Sequence, residues 1–420
     1  MLFVSRRFLP LFIVQALGAF NDNAYKAAAL VIFTYHWPAS YPLTSQEMVA
    51  LAAAIFIAPF FLFSAFAGRL ADAYSKTRLI HLFKCTECLL MLAASVAFLN
   101  QHSVLLLLLL FGMGTQSAFF GPIKYSIVPE LIERKQLLTA NGWIEAGTFL
   151  AILTGTIGGT SLMGVDNAAW LISGLLCALA AIGLGAAFCL PATHVATRNQ
   201  RESFLSAWHV LTATWLVVRA IYAQRKVYMA IIGISWFWVL GSLFVTQLPL
   251  FTQSYLQGSP HMVSVLLGCF SLGIITGSLA ITQLKRHIHW LLPCTMLAIS
   301  VCVIGLSLLS FPHAPYPLTA LFQHPETQLL LLCLLGVAVA GGMFVVPLYT
   351  QLQLASSNEN RAQNIAGNNI FNAAAVTLTS VLAAALFSHG LSVTGVWTCF
   401  ALGNLPIAYL MWKFRNKWGE

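Results

Sequence analysis

The sequence specifies an all-α membrane protein whose twelve spanning helices form two six-helix halves. Three observations predict this. Of the 420 residues, 59% are hydrophobic and only 8% are charged, where soluble domains carry roughly a quarter charged residues. The chain divides into twelve mostly apolar stretches of the length, about 20 residues, that crosses a bilayer. Basic residues collect at every second break between those stretches, as they do in loops kept on the cytoplasmic side.

Apolar run length places the spans at roughly 8–35, 49–68, 79–98, 103–125, 139–162, 168–190, 227–252, 262–284, 288–310, 327–350, 363–388 and 391–412. The first follows Arg6 and Arg7 in the manner of a signal peptide. Its apolar run continues through AFNDNAYK into ALVIFTYHW, so one uncleaved helix with polar residues at mid-depth is expected. Spans two and three are joined by GRLADAYSKTR, from Gly68 to Arg78, read as a tight turn opened by Gly68 with solvated charges. Gly121-Pro122 should kink or unwind span four and free backbone carbonyls there.

The longest polar break, 191–226, separates an N-terminal six-helix bundle, 1–190, from a C-terminal one, 227–420. Inside it Phe204, Trp208, Leu211, Trp215, Val218 and Tyr222 recur at helical spacing, with Arg219, Arg225 and Lys226 alongside. This pattern predicts an amphipathic helix on the cytoplasmic membrane surface. Span seven holds Gln247 ahead of Pro249, and span eleven holds Asn364, Asn368 and Asn372 on one stripe with Asn369 beside it.

The net charge of +9 would suggest nucleic acid in a soluble protein, but its distribution follows topology. Arg6 and Arg7, then Arg69, Lys76 and Arg78, and finally Lys413, Arg415 and Lys417 all fall at inner breaks, which puts both termini in the cytoplasm. The nine cysteines lie in or near spans, and Cys85-x-x-Cys88 within a predicted helix is a weak spacing signal for a metal set. The sequence contains no Walker P-loop. With only Asp22, Asp72 and Asp166, it also has no His followed five residues later by Asp, as acyltransferase chemistry wants. No cofactor, no metal and no enzymatic activity are expected.

Charges at membrane depth are costly, so each is a functional candidate. Asp22 and Lys26 stand four residues apart on one face of span one, flanked by Asn21 and Asn23. They either neutralise each other locally or line a polar cavity, and three consecutive polar residues cannot all face one neighbour. Lys124 in span four and Glu145 in span five fall at similar depth and are candidates for a salt bridge, as a clamp or as part of a site. Gln247, Asn368 and Asn372 are the second half's candidates for lining a cavity, or for joining helices.

The two halves resemble a repeat. GRLADAYSKTR has a weak counterpart in GSLAITQLKR, from Gly277 to Arg286, and Gly121-Pro122 one in Val346-Pro347. Such repeats characterise the major facilitator fold, and GRLADAYSKTR is similar to that superfamily's signature loop. The resemblance makes Gly68, Asp72 and Arg78 gating residues. AFNDNAYK, FGPIKYSIVPEL, ANGWIEAGTFLAILTGTIGG and GGMFVVPL further resemble the lysophospholipid transporter (LplT) family across most of the chain.

That resemblance implies movement of lysophospholipids, chiefly lysophosphatidylethanolamine, across a bacterial inner membrane by a monomer, for reacylation by an acyltransferase or acyl-ligase downstream. It carries Asp22, Asn23, Lys124 and Glu145 over as the family's polar residues. The stretch SWFWVLGSLFVTQLP departs from members that have an Arg in helix seven. It looks more like the transporter part of relatives fused to acyltransferase and acyl-ligase domains, which these 420 residues do not include. The alternatives are a facilitator carrying another amphiphile, such as a drug or siderophore, and a membrane-embedded acyltransferase or receptor.

Overall fold

A computed structural model describes residues 2, 5–35, 44–193, 210–311 and 316–415. Among them twelve long helices follow one another: α1 (Leu9–Tyr35), α2 (Ser45–Ala73), α3 (Lys76–Leu99), α4 (Ser103–Ser126), α5 (Leu137–Leu162), α6 (Ala168–Phe188), α7 (Arg225–Tyr255), α8 (Pro260–Ala280), α9 (Ile288–Ser307), α10 (Pro325–Ala355), α11 (Arg361–Ser388) and α12 (Val393–Lys413). Eleven are long and apolar enough to cross a membrane by length and composition. The twelfth is α1, whose 27 residues carry AFNDNAYK at the middle.

The helix ends follow from local sequence. Thr44 opens α2 with a capping box, accepting the Glu47 amide while the Glu47 carboxylate accepts the Thr44 amide at 2.8 Å. Ser392 caps α12 through the Gly395 amide at 3.1 Å. Gly390, at φ 85°, takes the left-handed position that ends α11.

In two places the helices are more continuous than expected. The helix α2 runs on to Ala73, so Gly68 and Asp72 sit in its last turns, and the turn before α3 is only Tyr74-Ser75. The helix α4 passes through Pro122 without unwinding, because neighbouring helices can compensate the lost backbone bond. The helices α7 and α10 likewise contain Pro249 and Pro347 in their interiors.

The chain forms two compact units. The first comprises Met1–Ala140, Ala151–Tyr228 and Leu352–Ala373. In it α2 packs on α4, α3 on α4 and α6, and α1 on α6. Its core gathers Tyr25, Phe33, Met91, Phe98, Leu110 and Leu176, and the Tyr25 hydroxyl donates to the Leu106 carbonyl at 2.6 Å. The linker begins here too. Thr193 caps α3 by accepting the Thr77 amide at 3.2 Å, while the Thr77 hydroxyl donates to the Pro191 carbonyl at 2.7 Å.

The second unit comprises Asn141–Leu150, Met229–Gln351 and Ala374–Glu420. There α9 packs on α12, and the fully buried Trp397 ring lies 4.9 Å from Phe244 and 5.0 Å from Phe251. Trp236 Nε1 donates to Asn404 at 2.7 Å, and Asn404 donates to Ser300 at 3.1 Å. A cavity bounded by Phe237, Phe244, Phe270, Met296 and Val337 is walled by apolar side chains.

A further helix, Val210–Ala223, precedes α7 in the linker. It buries Ala213, Val217 and Ile221 and packs on α2. Trp215 and Tyr222, from the stripe the sequence singles out, are exposed, and Val218 is half-buried. Phe204 and Trp208 lie outside the described residues, as does the Leu211 side chain.

Candidate functional site

Besides the Tyr25–Leu106 bond, two side-chain contacts tie α1 to α4. Ser117 Oγ donates to Asp22 at 2.5 Å, and Lys124 Nζ donates to Gln15 Oε1 at 3.5 Å. The second contact lies seven residues back along α1 and seven on along α4, the register of an antiparallel pair. At 1.5 Å per residue the two are about 10 Å apart along the helices. Asp22, Lys26 and Lys124 are all half-buried.

Asp22 and Lys26 share a face without closing an ion pair with each other. Lys26 Nζ lies instead over the Phe56 ring, 5.1 Å from its centre, and Lys124 Nζ lies 4.7 Å from the centre of the Tyr125 ring. A cation on an aromatic face keeps N–H donors for a further partner. Asn23 turns back on its own helix and donates to the Ala19 carbonyl at 2.8 Å.

Behind Asp22 lies a second polar group on α3. Lys84 and Glu87 pair at 2.7 Å, with side chains 1% and 2% exposed. Glu87 also accepts from Asn21 of α1 at 3.2 Å and from Gln116 of α4 at 3.4 Å, and Asn21 further donates to the Leu176 carbonyl of α6 at 3.2 Å. Lys84 is seated between glycines: a Cβ at Gly18 would lie 3.1 Å from its Nζ, and one at Gly183 3.2 Å. Ser117 Oγ is 3.5 Å from Gln116 Oε1, so polar contacts run without a break from Asp22 to Lys84.

The asparagines of α11 separate into different environments. Asn364 donates to Ser356 at 2.9 Å, Asn360 at 3.3 Å and Gln224 at 3.2 Å. Asn368 is 1% exposed, and neither of its amide atoms has a hydrogen-bond partner among the described residues. Asn372 is half-buried one turn further on. An unsatisfied buried amide costs on the order of 1–3 kcal/mol, which makes Asn368 a position poised for a polar ligand or water.

Where α2 meets the start of α11, the Asp72 carboxylate accepts the Ala362 and Gln363 amides, each at 3.0 Å. It therefore caps a helix distant in sequence and faces that helix's positive end. Gly68 permits the approach, because a Cβ there would lie 2.6 Å from the Cβ of Ala366. Arg361 donates to the Gln353 and Ser356 carbonyls at the end of α10, at 3.1 and 3.3 Å, and Gln353 donates to the Tyr125 carbonyl at 3.0 Å. Arg78 is exposed. The engaged cation of this segment is Lys76, paired with Glu130 at 2.6 Å.

Glu145 and Gln247 belong to the second unit. Glu145 is fully buried, one turn from Asn141, which donates to Thr350 at 3.0 Å, and one turn from Phe149, whose ring stacks on Trp238 at 6.1 Å. Trp238 Nε1 in turn donates to the Tyr349 hydroxyl at 3.2 Å. Gln247 is half-buried on α7.

The sequence profile described as Major Facilitator Superfamily matches residues 8–380. A protein named lysophospholipid transporter LplT, from Pectobacterium carotovorum subsp. carotovorum (strain PC1), is 30% identical over 383 residues, covering 87% of this chain and 84% of the relative. This chain belongs to the Major Facilitator Superfamily, in its LplT family. A second LplT, from Cronobacter sakazakii, is 28% identical over 98% of this chain and 97% of its own.

Solved structures show the same superfamily fold at low identity. The human organic anion transporter MFSD10 superposes with TM-score 0.77 at 14% identity, covering 97% of this chain and 99% of its own. The Escherichia coli fucose:proton symporter FucP gives 0.72 at 12%, covering 97% and 98%. As a member of the LplT family the protein is a multi-pass membrane transporter rather than an enzyme.

The sequence reading of this LplT-family chain passes over Lys84, Glu87 and Gln116. The first two were legible as charges three residues apart in an apolar stretch. Gln116 lies in the short polar run Thr115-Gln116-Ser117 of span four, but its partner Glu87 is on another helix and leaves no mark in the local sequence.

Proposed function

We propose that the protein is a lysophospholipid flippase of the bacterial inner membrane. It moves lysophosphatidylethanolamine and related lysophospholipids towards the cytoplasm by alternating access, works as a monomer and has both termini inside. The supporting observation is the charge set of α1 and α4: Asp22 and the ammonium groups of Lys26 and Lys124 are half-buried, and Asp22 and Lys26 are not paired to each other.

A lysophospholipid presents a phosphate, often an amine, and one acyl chain. Lys26 and Lys124 suit the phosphate and Asp22 the amine, as charge-assisted hydrogen bonds. The names of the LplT relatives support the same cargo. Asn368, Asn372, Glu145 and Gln247 are assigned to the same pathway from the other helices. Gly68 and Asp72, with Lys76 engaged in place of the exposed Arg78, form the cytoplasmic latch, and an acyltransferase or acyl-ligase consumes the delivered lipid.

The test is transbilayer movement of a fluorescent lysophosphatidylethanolamine in proteoliposomes. The reading expects clear acceleration over protein-free liposomes. Equal rates in the two would overturn it and leave another amphiphile as the cargo.

A further inference from the structure

The linker helix Val210–Ala223 has two faces with different partners. Ala213, Val217 and Ile221, 3%, 3% and 0% exposed, form the buried one. It rests on α2 and on Gly367 of α11, where any Cβ would collide with Ile221. The opposite face carries Trp215 and Tyr222, 56% and 58% exposed, with Arg219 between them. The Arg219 guanidinium lies 5.2 Å from the centre of the Trp215 ring.

We infer that this outer face is a docking surface for anionic phospholipids of the leaflet in which α7 begins. Position, chemistry and charge each support that occupant. Gln224 alone separates the helix from α7, so Arg225 and Lys226 stand at the first turn of a spanning helix and Arg219 lies six residues before it, which places all three near headgroup depth. Trp and Tyr are the side chains that favour this level.

Stacking on Trp215 occupies the guanidinium face of Arg219 and leaves its edge N–H groups for a phosphate. Arg219 and Lys226 are exposed and take part in none of the ion pairs among the described residues.

The surface is rigidly joined to the latch. Gln224 receives a hydrogen bond from Asn364 in the first turn of α11 at 3.2 Å, and the Tyr222 ring lies 6.1 Å from Phe371. Ala362 and Gln363, whose amides Asp72 caps, belong to that same turn. Anionic lipid on the outer face therefore steadies the start of α11, whatever the cargo.

The experiment places the full-length protein in nanodiscs of phosphatidylcholine alone or of an equal mixture with phosphatidylglycerol. It reads thermal unfolding and amide exchange at Ala362 and Gln363, neither of which requires transport. The mixture should raise the melting temperature and slow exchange at both amides, more so at low salt. With about 1 kcal/mol for each basic residue near an anionic surface, Arg219→Gln with Lys226→Gln should weaken apparent lipid affinity by roughly tenfold or more.

Arg219→Lys, which keeps the charge, should retain most of the response, and Arg78→Gln all of it. A double variant that responds like the native chain would overturn the docking surface. A native chain indifferent to phosphatidylglycerol would do the same. A rise in melting temperature with unchanged exchange at Ala362 and Gln363 would overturn the link to the latch.

Discussion

Two pairs of opposite charges sit within membrane helices of the first unit at nearly the same spacing, and they behave differently. Lys84 and Glu87 close on each other at 2.7 Å, and Asn21 and Gln116 complete the carboxylate's hydrogen bonds. Asp22 and Lys26 do not close; one accepts from Ser117 and the other lies over Phe56. The first pair is sealed and its charges are spent on each other. The second keeps binding capacity, at the expense of stability. Burial with complete partners marks the first pair as structural, and the second is the one the proposed function uses.

The largest expected effect breaks the sealed pair. Lys84→Met leaves Glu87 buried without its counter-ion, at a cost of about 3–5 kcal/mol. Unfolding of the purified protein in micelles should show a steep drop in melting temperature. Combining Lys84→Met with Glu87→Leu should recover most of it, since two apolar groups leave nothing unpaired.

Next comes the Asp72 carboxylate, likewise engaged, here by the amides that begin α11. Hydrogen bonds to a charged group contribute about 1.5–3 kcal/mol each, so Asp72→Ala should raise amide exchange at Ala362 and Gln363 by at least tenfold. Asp72→Asn, which keeps one acceptor, should fall between. The open pair predicts a different readout. Asp22→Ala should slow lysolipid movement by roughly tenfold, about 1.4 kcal/mol in the barrier, at unchanged membrane abundance. Equal loss of abundance would place Asp22 with the sealed pair.

The smallest effect belongs to Arg78. Its Ala variant should stay within about 0.5 kcal/mol of the native stability, whereas Lys76→Ala should cost more, because Lys76 pairs with Glu130.

Helix number and order were legible because run length and inner-loop charge are one-dimensional signals. Asp72 was legible through its motif, but the nature of its partner was not: two backbone amides of α11 leave no mark in composition. Lys76 and Arg78 look equivalent in GRLADAYSKTR. The Tyr74-Ser75 turn sets the rotation of α3 that buries the first and exposes the second. The spacing of Asn364, Asn368 and Asn372 was plain, yet their separate environments depend on Ser356, Asn360 and Gln224, which only the folded chain brings to Asn364.

The turn between α10 and α11 is gripped at both ends by opposite charges, Arg361 on the carbonyls that finish α10 and Asp72 on the amides that begin α11. Helix ends carry about half an elementary charge of opposite sign, so withdrawing either group bares a terminus at low dielectric. On the proposed alternating access, the two groups are therefore expected to let go together, and the joint would work as a snap-action switch: a barrier without half-open positions would give ions little time to slip through while lipid crosses.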